Sequence, residues 1–325
     1  MNFMDLTPIQ SLVKADFAKV DNLIDRYLHS EISLIPQLAR HLIDSGGKRL
    51  RPLIVLLSAA AFGYPGQAHL PLAATLELIH TATLLHDDVI DDSKLRRGKK
   101  TANSLWGNSA SILVGDFLYS RAFQLMVEIN NPRALKSLAD ATSTLSQAEI
   151  LQLVSCHNPD LDETQLLKII AGKTGILFSI AAQLPAILAE CNETAITSMS
   201  NYGLHLGIAF QLIDDALDYV GTTAEIGKTK GDDLAEGKTT LPLIYALQHA
   251  DKNQAQLIRE AISQGNRKHL EVIIDIIKTT NAIHYTYDYA KEHAKKAKAY
   301  LQAIPDSIYR QALVSLAEFA ISRKH

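Results

Sequence analysis

The chain is poor in the features that mark secreted proteins and proteins that bind nucleic acids. It has only two cysteines, Cys156 and Cys191, among 325 residues, which is too few for a disulfide scaffold and fits a reducing compartment. Its formal net charge is −3, so no broad basic surface is available to attract nucleic acid or an acidic membrane. Residues 1–16 lack the basic and then apolar pattern of a signal peptide. These absences predict a cytoplasmic protein without a nucleic-acid partner.

Long apolar runs are also rare, and only one raises the question of a membrane span. Residues 52–76 contain no Asp, Glu, Lys or Arg, and a stretch of that length could cross a bilayer. However, the segment Gly63-Tyr64-Pro65-Gly66-Gln67 interrupts it with residues that favour a turn. The sequence therefore predicts two buried helices here and no transmembrane segment.

Strand patterns are scarce, whereas helical periodicity extends through most of the chain. The predicted helices span about residues 8–29, 31–44, 50–62, 68–90, 103–106, 109–129, 132–155, 162–189, 193–220, 239–250, 253–264, 267–279, 281–303 and 306–323. Short connectors join them, and no low-complexity stretch separates two halves. We therefore predict a single all-α domain over residues 1–325, a bundle of about 10–14 helices around a deep central apolar cavity.

Two clusters of aspartates stand out among the residues that the chain does contain. Each has the spacing D-D-x-x-D within an apolar helical stretch, and together they comprise Asp87, Asp88, Asp91, Asp214, Asp215 and Asp218. The first and fifth positions lie on one face of a helix, about 6 Å apart, where like charges repel. Buried carboxylates are costly unless cations neutralise them. Carboxylate oxygens suit Mg²⁺, whereas zinc would require His and Cys, and a di-iron bundle would require Glu-x-x-His pairs.

Basic residues follow both aspartate motifs and also fill a segment that begins with two glycines. The three basic segments are residues 46–52 (GGKRLRP), 95–99 (LRRGK) and 227–242. Lysine offers a point charge to phosphate oxygens, and arginine offers a bidentate fork. Because the helices around the aspartates are otherwise apolar, these residues predict a ligand with a diphosphate head and a hydrocarbon tail.

The order of these motifs resembles the trans-isoprenyl diphosphate synthase family, and within it the long-chain bacterial octaprenyl diphosphate synthases. The resemblance covers nearly the whole chain. Its markers are GGKRLRP (46–52), LLHDDVIDDSKLRRG (84–98), LVGDFLYSRAF (113–123), GKT (172–174), FQLIDDALDY (210–219) and GDDLAEGKTTLPL (231–243). A single D-D-x-x-D motif is a weak signal, but all six markers in this order are specific.

The resemblance implies an Mg²⁺-dependent prenyltransferase with the isoprenoid synthase fold. Such an enzyme adds isopentenyl diphosphate head-to-tail to an allylic diphosphate, for which farnesyl diphosphate is expected here. About three Mg²⁺ ions per active site are expected once substrate is bound. The implied product is a long all-trans polyprenyl diphosphate, octaprenyl diphosphate, which supplies the side chain of a respiratory quinone. Members of the family are usually homodimers.

The resemblance also assigns roles to individual residues. The six aspartates of the two motifs are expected to hold the metal ions. The allylic diphosphate is expected to contact Arg96, Lys173, Thr174, Gln211, Lys228 and Lys238. Isopentenyl diphosphate is expected to contact Lys48, Arg51, His80 and Arg97.

Product length can be argued from helix geometry and from the resemblance together. Ala82 and Thr83 lie about one turn, roughly 5 Å, below Asp87 on its helix. In the family a bulky aromatic residue there stops short products, so two small residues indicate that the growing tail passes. The next long helix should run down from the mouth, which places Met126 about 25 Å deeper. Phe123, Met126 and Leu138 are the candidates for the floor of the pocket.

Three other functions stay open at this point. A synthase of farnesyl or geranylgeranyl diphosphate would share the motifs, although Ala82 and Thr83 argue against it. A non-catalytic partner subunit would be expected to lose acidic ligands, yet both motifs are complete. A terpene cyclase would lack the GGKRLRP segment.

A few residues depart from the family pattern or have no assigned role. The departures are Ser45, Asp92 and Gly175, and Gly175 is expected to loosen its helix by about 1 kcal/mol relative to Ala. His86 has no assigned role. The basic residues at 323–325 are expected to be a frayed end.

Overall fold

The structure is a computed structural model that describes residues 5–221 and 229–323. In these ranges the chain is helical except for its connectors and one small hairpin. The helices are α1 (Thr7–Ser11), α2 (Lys14–Leu28), α3 (Leu34–Ile43), α4 (Leu50–Ala61), α5 (His69–Ile90), α6 (Ala102–Trp106), α7 (Asn108–Glu128), α8 (Pro132–Ser155), α9 (Glu163–Ile170), α10 (Ile176–Leu188), α11 (Glu193–Val220), α12 (Asp232–Ala235), α13 (Leu241–His249), α14 (Lys252–Gln264), α15 (Leu270–Thr279), α16 (Ala282–Tyr300) and α17 (Ile308–Ser322). A π-helical turn (Ala171–Gly175) joins α9 to α10, and a 3₁₀ turn (Leu301–Ala303) follows α16. The predicted all-α fold is confirmed.

Several local features differ from the predicted elements, among them the helix predicted over residues 162–189, which the π-helical turn divides into α9 and α10. The helix predicted over residues 8–29 is interrupted between α1 and α2, and the four-residue helix α12 lies in a predicted connector. A two-stranded hairpin pairs β1 (Leu95–Arg96) with β2 (Lys99–Lys100). Its turn residues Arg97 and Gly98 have φ angles of 53° and 76°, which is the backbone of a type I′ turn between antiparallel strands. A hairpin this short has no room for the alternating pattern by which strands are recognised.

The two helices that carry the aspartate motifs lie in the interior of the bundle. On α5, Leu76 and Ile79 have no exposed surface, and on α11 Leu206 and Leu212 are equally well buried. Helix α5 packs mainly on α7, and α11 lies between α10 and α16. A helix that is apolar on every side is stable only in such a place, because no polar face is available for solvent.

Close approach of α11 to the π-helical turn explains one departure from the family pattern. A Cβ atom on Gly207 would lie 2.8 Å from the Cα atom of Gly175, and a Cβ on Gly175 would lie 2.9 Å from Leu204 Cδ1. Glycine at both positions therefore lets the two backbones meet. The expectation that Gly175 only loosens its helix omitted this packing contribution.

The long apolar segment at residues 52–76 folds as two helices, as the sequence predicts. Helix α4 ends at Ala61 and α5 begins at His69, with the turn between them. A different run, Glu163–Leu188, is long and apolar enough to cross a membrane, but 78% of its most apolar window is buried within the protein. That degree of burial is typical of a core helix.

Candidate active site

The first aspartate motif ends α5, and its central residue is the most deeply buried of the three. Asp88 is 1% exposed, and its Oδ1 atom accepts a 2.8 Å hydrogen bond from Arg96 Nε and forms an ion pair of 2.8 Å with Arg96 Nη2. The Asp88 backbone carbonyl accepts a 2.9 Å bond from Asn103 Nδ2. The Oδ2 atom of Asp88 has no hydrogen-bond partner among the described residues. Burial raises the pKa of Asp88, against the opposing charge of Arg96.

The first aspartate of the motif contacts a lysine from the π-helical turn. Lys173 Nζ lies 3.3 Å from Asp87 Oδ1, 2.7 Å from Glu149 Oε2 and 2.7 Å from Gln152 Oε1. Burial opposes the charge of Lys173, but the two carboxylates prevail and raise its pKa. Burial and the nearby Asp87 charge raise the pKa of Glu149 to about 7. A π-helical turn inserts one residue into the helix and thereby changes the direction of its side chains, a distortion that is frequent at functional sites.

The last aspartate of the motif is paired with a lysine from a distant segment. Lys238 Nζ lies 2.9 Å from Asp91 Oδ2 and 2.6 Å from Glu236 Oε2. Burial would lower the pKa of Lys238, but these two carboxylates raise it overall. The segment after α12 thus lies beside the end of α5. The carboxylates of Asp91 and Glu236 keep Lys238 protonated there.

The second motif is held by a chain of polar side chains that begins at the π-helical turn. Thr174 Oγ1 donates a 2.9 Å bond to Gln211 Oε1, and Gln211 Nε2 donates a 2.8 Å bond to Asp215 Oδ1. Asp218 has no exposed surface, and its Oδ2 atom accepts a 3.2 Å bond from the backbone N–H of Asp233. Thr174 and Gln211 therefore lie beside the second motif, while the adjacent Lys173 contacts the first.

Arg323, which follows α17, closes one side of the second motif. Arg323 Nη1 is bonded to Asp214 Oδ1, and Arg323 Nη2 donates a 2.8 Å bond to the Phe210 carbonyl. The guanidinium carbon lies 3.7 Å from the centre of the Phe210 ring, and the side chain is only 11% exposed. The expectation of a frayed end is wrong for Arg323, because an ion pair and a ring contact both fix it in place.

The basic segment at the head of α4 lies next to this arginine. Lys48 Nζ is 5.7 Å from the centre of the Phe210 ring and 5.1 Å from that of Phe319. Although the lysine still reaches solvent, burial of its ammonium group and the charge of Arg323 lower its pKa to about 8. Lys48 is therefore an unusually weak base for a lysine.

The glycine turn before α4 makes room for an arginine of the hairpin. Gly47 has a φ of 155°, and a Cβ atom there would lie 2.6 Å from Arg97 Nη1. Arg51 covers the Phe178 ring at 4.8 Å, and burial together with Arg97 lowers the pKa of Arg51 to about 10. Burial and the surrounding arginines also lower the pKa of His80 well below its usual value, so this imidazole is neutral near pH 7. The four residues predicted to contact isopentenyl diphosphate thus belong to one neighbourhood.

Five residues around these groups carry no prediction from the sequence. They are Glu77, Asn103, Glu149, Gln152 and His86. Glu77 stands alone in an apolar helical stretch, which is only a weak signal, and Glu149 lies among serine and glutamine residues that hide it. His86 serves packing: its ring bonds to the Ile112 carbonyl and lies where a side chain at Gly115 would otherwise point.

The predicted chain-length residues occupy the apolar core, but an open tunnel along them is not among the best-defined cavities. Ala82, Met126 and Leu138 have no exposed surface, and the partly buried Phe123 packs against the same core; Thr83 is also partly buried. A pocket of about 410 Å³ lies instead beside α1, α2 and the glycine turn. The deep central cavity and its floor therefore stay predictions.

Within residues 5–221 and 229–323, no three His, Cys, Asp or Glu side chains converge closely enough to hold a metal ion by themselves. Basic side chains lie next to the aspartates of the first motif, and two of them, Lys173 and Lys238, also pair with Glu149 and Glu236. Lys228, predicted to contact the allylic diphosphate, lies outside the described residues.

Comparison with known proteins agrees with this arrangement. The sequence profile of the polyprenyl synthetase family matches residues 32–279. Octaprenyl diphosphate synthase of Escherichia coli (strain K12) is 46% identical over 321 residues, which cover 98% of this chain and 99% of that enzyme. The all-trans-nonaprenyl-diphosphate synthase (geranyl-diphosphate specific) of Rhodobacter capsulatus is 44% identical, over 96% of each chain.

A solved structure of a polyprenyl synthase has the same fold as this chain. The polyprenyl synthase from Caulobacter crescentus CB15, complexed with calcium and isoprenyl diphosphate, has a TM-score of 0.96 and 43% sequence identity, and the match covers 100% of both chains. Family, fold and motif order all agree along the chain, and this confirms the resemblance inferred from the sequence. The chain therefore belongs to the polyprenyl synthetase family and is a trans-prenyltransferase.

Proposed function

We propose that this trans-prenyltransferase condenses isopentenyl diphosphate with an allylic diphosphate to make octaprenyl diphosphate, in a Mg²⁺-dependent reaction. The observation that carries the proposal is the contact of two adjacent residues with the two aspartate motifs. Lys173 contacts Asp87, and Thr174 reaches Asp215 through Gln211. The π-helical turn thus stands between two acidic clusters, with lysine and arginine side chains around them. Such a set of charges fits a diphosphate accompanied by divalent cations.

The aspartates fit Mg²⁺ in their chemistry. All six donors are carboxylates, which are hard oxygen ligands, and the buried Asp88 Oδ2 atom has no hydrogen-bond partner among the described residues. The carboxylates do not form a closed cage, which agrees with an ion that keeps water and substrate phosphates as ligands. We assign Asp87, Asp91 and Asp214 as principal ligands, with Asp88, Asp215 and Asp218 assisting. When bound, the ions would withdraw charge from the departing diphosphate.

The allylic diphosphate would be held by the basic and polar residues around the motifs. Arg96, Lys173 and Lys238 already lie within ion-pair distance of the first motif. Once divalent ions neutralise those aspartates, the three cations can turn to phosphate oxygens. Thr174 and Gln211 would complete the polar wall, with Lys228 as a further proposed contact.

Isopentenyl diphosphate would bind at the head of α4. Lys48, Arg51 and Arg97 supply positive charge there, and the neutral His80 supplies a hydrogen-bond donor. In the reaction, the allylic carbon–oxygen bond breaks, and the double bond of isopentenyl diphosphate attacks the resulting cation. A proton then leaves to the released diphosphate. The apolar residues around the site exclude water that would otherwise capture the cation.

Product length and cellular role follow from the same residues and relatives. The small Ala82 and Thr83 would let the tail pass, and Phe123, Met126 and Leu138 would stop it. The high identity to an octaprenyl diphosphate synthase over almost the entire chain supports this length, with farnesyl diphosphate as the proposed primer. We further propose one domain over residues 1–325, a cytoplasmic location and a role in quinone side-chain synthesis.

A homodimer is the proposed assembly. Helices α7 and α8 expose several large apolar side chains to solvent, among them Leu113 at 67%, Ile150 at 61% and Val154 at 70%. Isolated exposed apolar residues are ordinary, but several on two adjacent long helices are typical of an interface. A second copy of the chain would cover them.

A product assay tests the proposed function. Purified protein receives Mg²⁺, farnesyl diphosphate and radiolabelled isopentenyl diphosphate, and the dephosphorylated products are sized by chromatography. A single product of octaprenyl length is expected. Products of farnesyl or geranylgeranyl length would keep the reaction but overturn the pocket floor. No incorporation by folded protein would favour a non-catalytic subunit.

A further inference from the structure

A buried glutamate lies beneath the arginines at the head of α4. Glu77, on α5, is 7% exposed, and its Oε1 atom lies 3.6 Å from Arg49 Nε. Burial raises the pKa of Glu77, whereas the nearby charges of Arg49, Arg51 and Arg97 act to lower it. The buried carboxyl group of Glu77 is therefore within reach of the charges of three guanidinium groups, one of which, Arg97, is exposed.

Arg49 links this carboxylate to the start of α4. Its backbone has a φ of 45°, which is uncommon for a residue with a side chain. Its guanidinium pairs with Asp21 on one side and Glu77 on the other. Because Arg49 is flanked by Lys48 and lies two residues before Arg51, fixing it also fixes where both of those side chains begin.

The described residues do not satisfy every hydrogen-bond donor of the arginines. Several buried atoms here have no hydrogen-bond partner among the described residues. They include Arg49 Nη2, Arg51 Nε and Glu77 Oε2. Guanidinium groups brought together in low dielectric repel one another, and removal of a buried counter-charge leaves that repulsion uncompensated. The arginines therefore need a resident anion to keep this arrangement before substrate arrives. Because the two carboxylates of Glu77 and Asp21 still leave three guanidinium groups with a net positive charge, a diphosphate is attracted.

We propose that Glu77 is a positioning residue whose carboxylate holds Arg49, Arg51 and Arg97 in the arrangement that receives the diphosphate of isopentenyl diphosphate. The inference rests on the proposed isopentenyl diphosphate site. Glu77 acts through the arginines and does not touch the reacting atoms, so its loss weakens binding of one substrate and spares the chemical step.

The test compares Glu77→Gln with Asp21→Asn, which removes one negative charge from the same Arg49 but at a side chain that is 51% exposed. Glu77→Gln is expected to raise the KM for isopentenyl diphosphate about tenfold or more, with kcat and the KM for farnesyl diphosphate changed less than about twofold. Asp21→Asn is expected to change all three values less than about twofold, because exposed pairs contribute little. Titration calorimetry with isopentenyl diphosphate should show a lower affinity for Glu77→Gln and a nearly unchanged affinity for Asp21→Asn.

Two further variants separate the possible failures. Arg51→Gln must raise the KM for isopentenyl diphosphate; an unchanged value would mean that the proposed substrate site is wrong. If Arg51→Gln weakens binding but Glu77→Gln does not, only the role of Glu77 is overturned. The role of Glu77 is also overturned if Glu77→Gln raises the KM values for isopentenyl diphosphate and farnesyl diphosphate equally and lowers kcat. Tighter binding of isopentenyl diphosphate by Glu77→Gln overturns the role as well. If Glu77→Gln does not fold, Glu77→Asp provides the test. The shorter side chain places its carboxylate further from the arginines, so the KM for isopentenyl diphosphate must still rise selectively, by a smaller factor.

Discussion

At the scale of single residues, most of the motif aspartates have a basic side chain as their partner. Asp87, Asp88 and Asp91 pair with Lys173, Arg96 and Lys238, and Asp214 pairs with Arg323. Without such partners, buried like charges one helical turn apart would destabilise the end of α5. The same basic side chains are within reach of a diphosphate, so one set of cations can serve both the substrate-free and the substrate-bound protein.

The weak basicity of Lys48 predicts a pH dependence of substrate affinity. Its pKa falls from 10.5 to about 8 because burial and Arg323 disfavour the ammonium form. Only the protonated lysine attracts diphosphate, so the KM for isopentenyl diphosphate should rise as pH increases through 8. Steady-state kinetics from pH 7 to 9 measure this dependence.

Lys48→Arg is the matched control for that experiment, because a guanidinium keeps its charge throughout this range. The variant should show a nearly flat KM between pH 7 and 9. An equally steep rise in the variant would assign the titration to another group. A flat profile in the unmodified protein would show that Lys48 does not contact the substrate.

At the scale of elements, glycines fix the distance between α10 and α11. A Cβ atom on Gly203 would collide with the carbonyl oxygen of Phe178 and lie 2.6 Å from its carbonyl carbon. These are backbone atoms, which cannot rotate away as a side chain can. The interhelix distance in turn places Thr174 beside Gln211.

Gly203→Ala should therefore lower the free energy of unfolding by about 1–3 kcal/mol, since the two helices must separate. The control Thr197→Ala lies on the same helix at an exposed position and should change stability by less than about 0.5 kcal/mol. Denaturant unfolding followed by circular dichroism measures both. Equal stability of the two variants would contradict the close packing of α10 on α11.

The chain-length pocket also depends on the direction of side chains on one helix. Thr83→Phe should shorten the product to farnesyl or geranylgeranyl length, because the ring would block the path below Asp87. Leu84→Phe places the same ring about 100° further around α5 and should leave the octaprenyl product unchanged. Chromatography of the dephosphorylated products distinguishes the two results. Long products from Thr83→Phe would place the tail elsewhere.

At the scale of the whole molecule, the exposed apolar residues of α7 and α8 predict a homodimer. Leu113→Asp, at a position that is 67% exposed, should give a monomer, because a charge at an apolar interface is costly. Val272→Asp alters a 51% exposed residue on α15 and should leave the dimer intact. Size-exclusion chromatography with light scattering measures the mass. A monomeric unmodified protein, or dimers from both variants, would contradict the interface.

Much of the site can be predicted from sequence because its residues lie in short motifs with a helical period. Asp87 and Asp91 share a face of α5 wherever that helix packs. The glycine turn and its basic residues are also contiguous in the chain. Glu77 and Glu149 escaped prediction because a single acid within a helix has no spacing partner that marks it as part of a site.

The sequence by itself determined the helical class, the family and the residues most suited to hold metal ions and diphosphates. Local periodicity and residue chemistry are sufficient for the helical class and the candidate ligands, and the order of the six motifs carries the resemblance to the family. Only the tertiary structure decided that Lys238 pairs with Asp91, that Arg323 pairs with Asp214, and that the π-helical turn places Lys173 and Thr174 between the motifs. These contacts join residues that are far apart in the chain, and packing of the whole bundle decides which of the many possible partners meet.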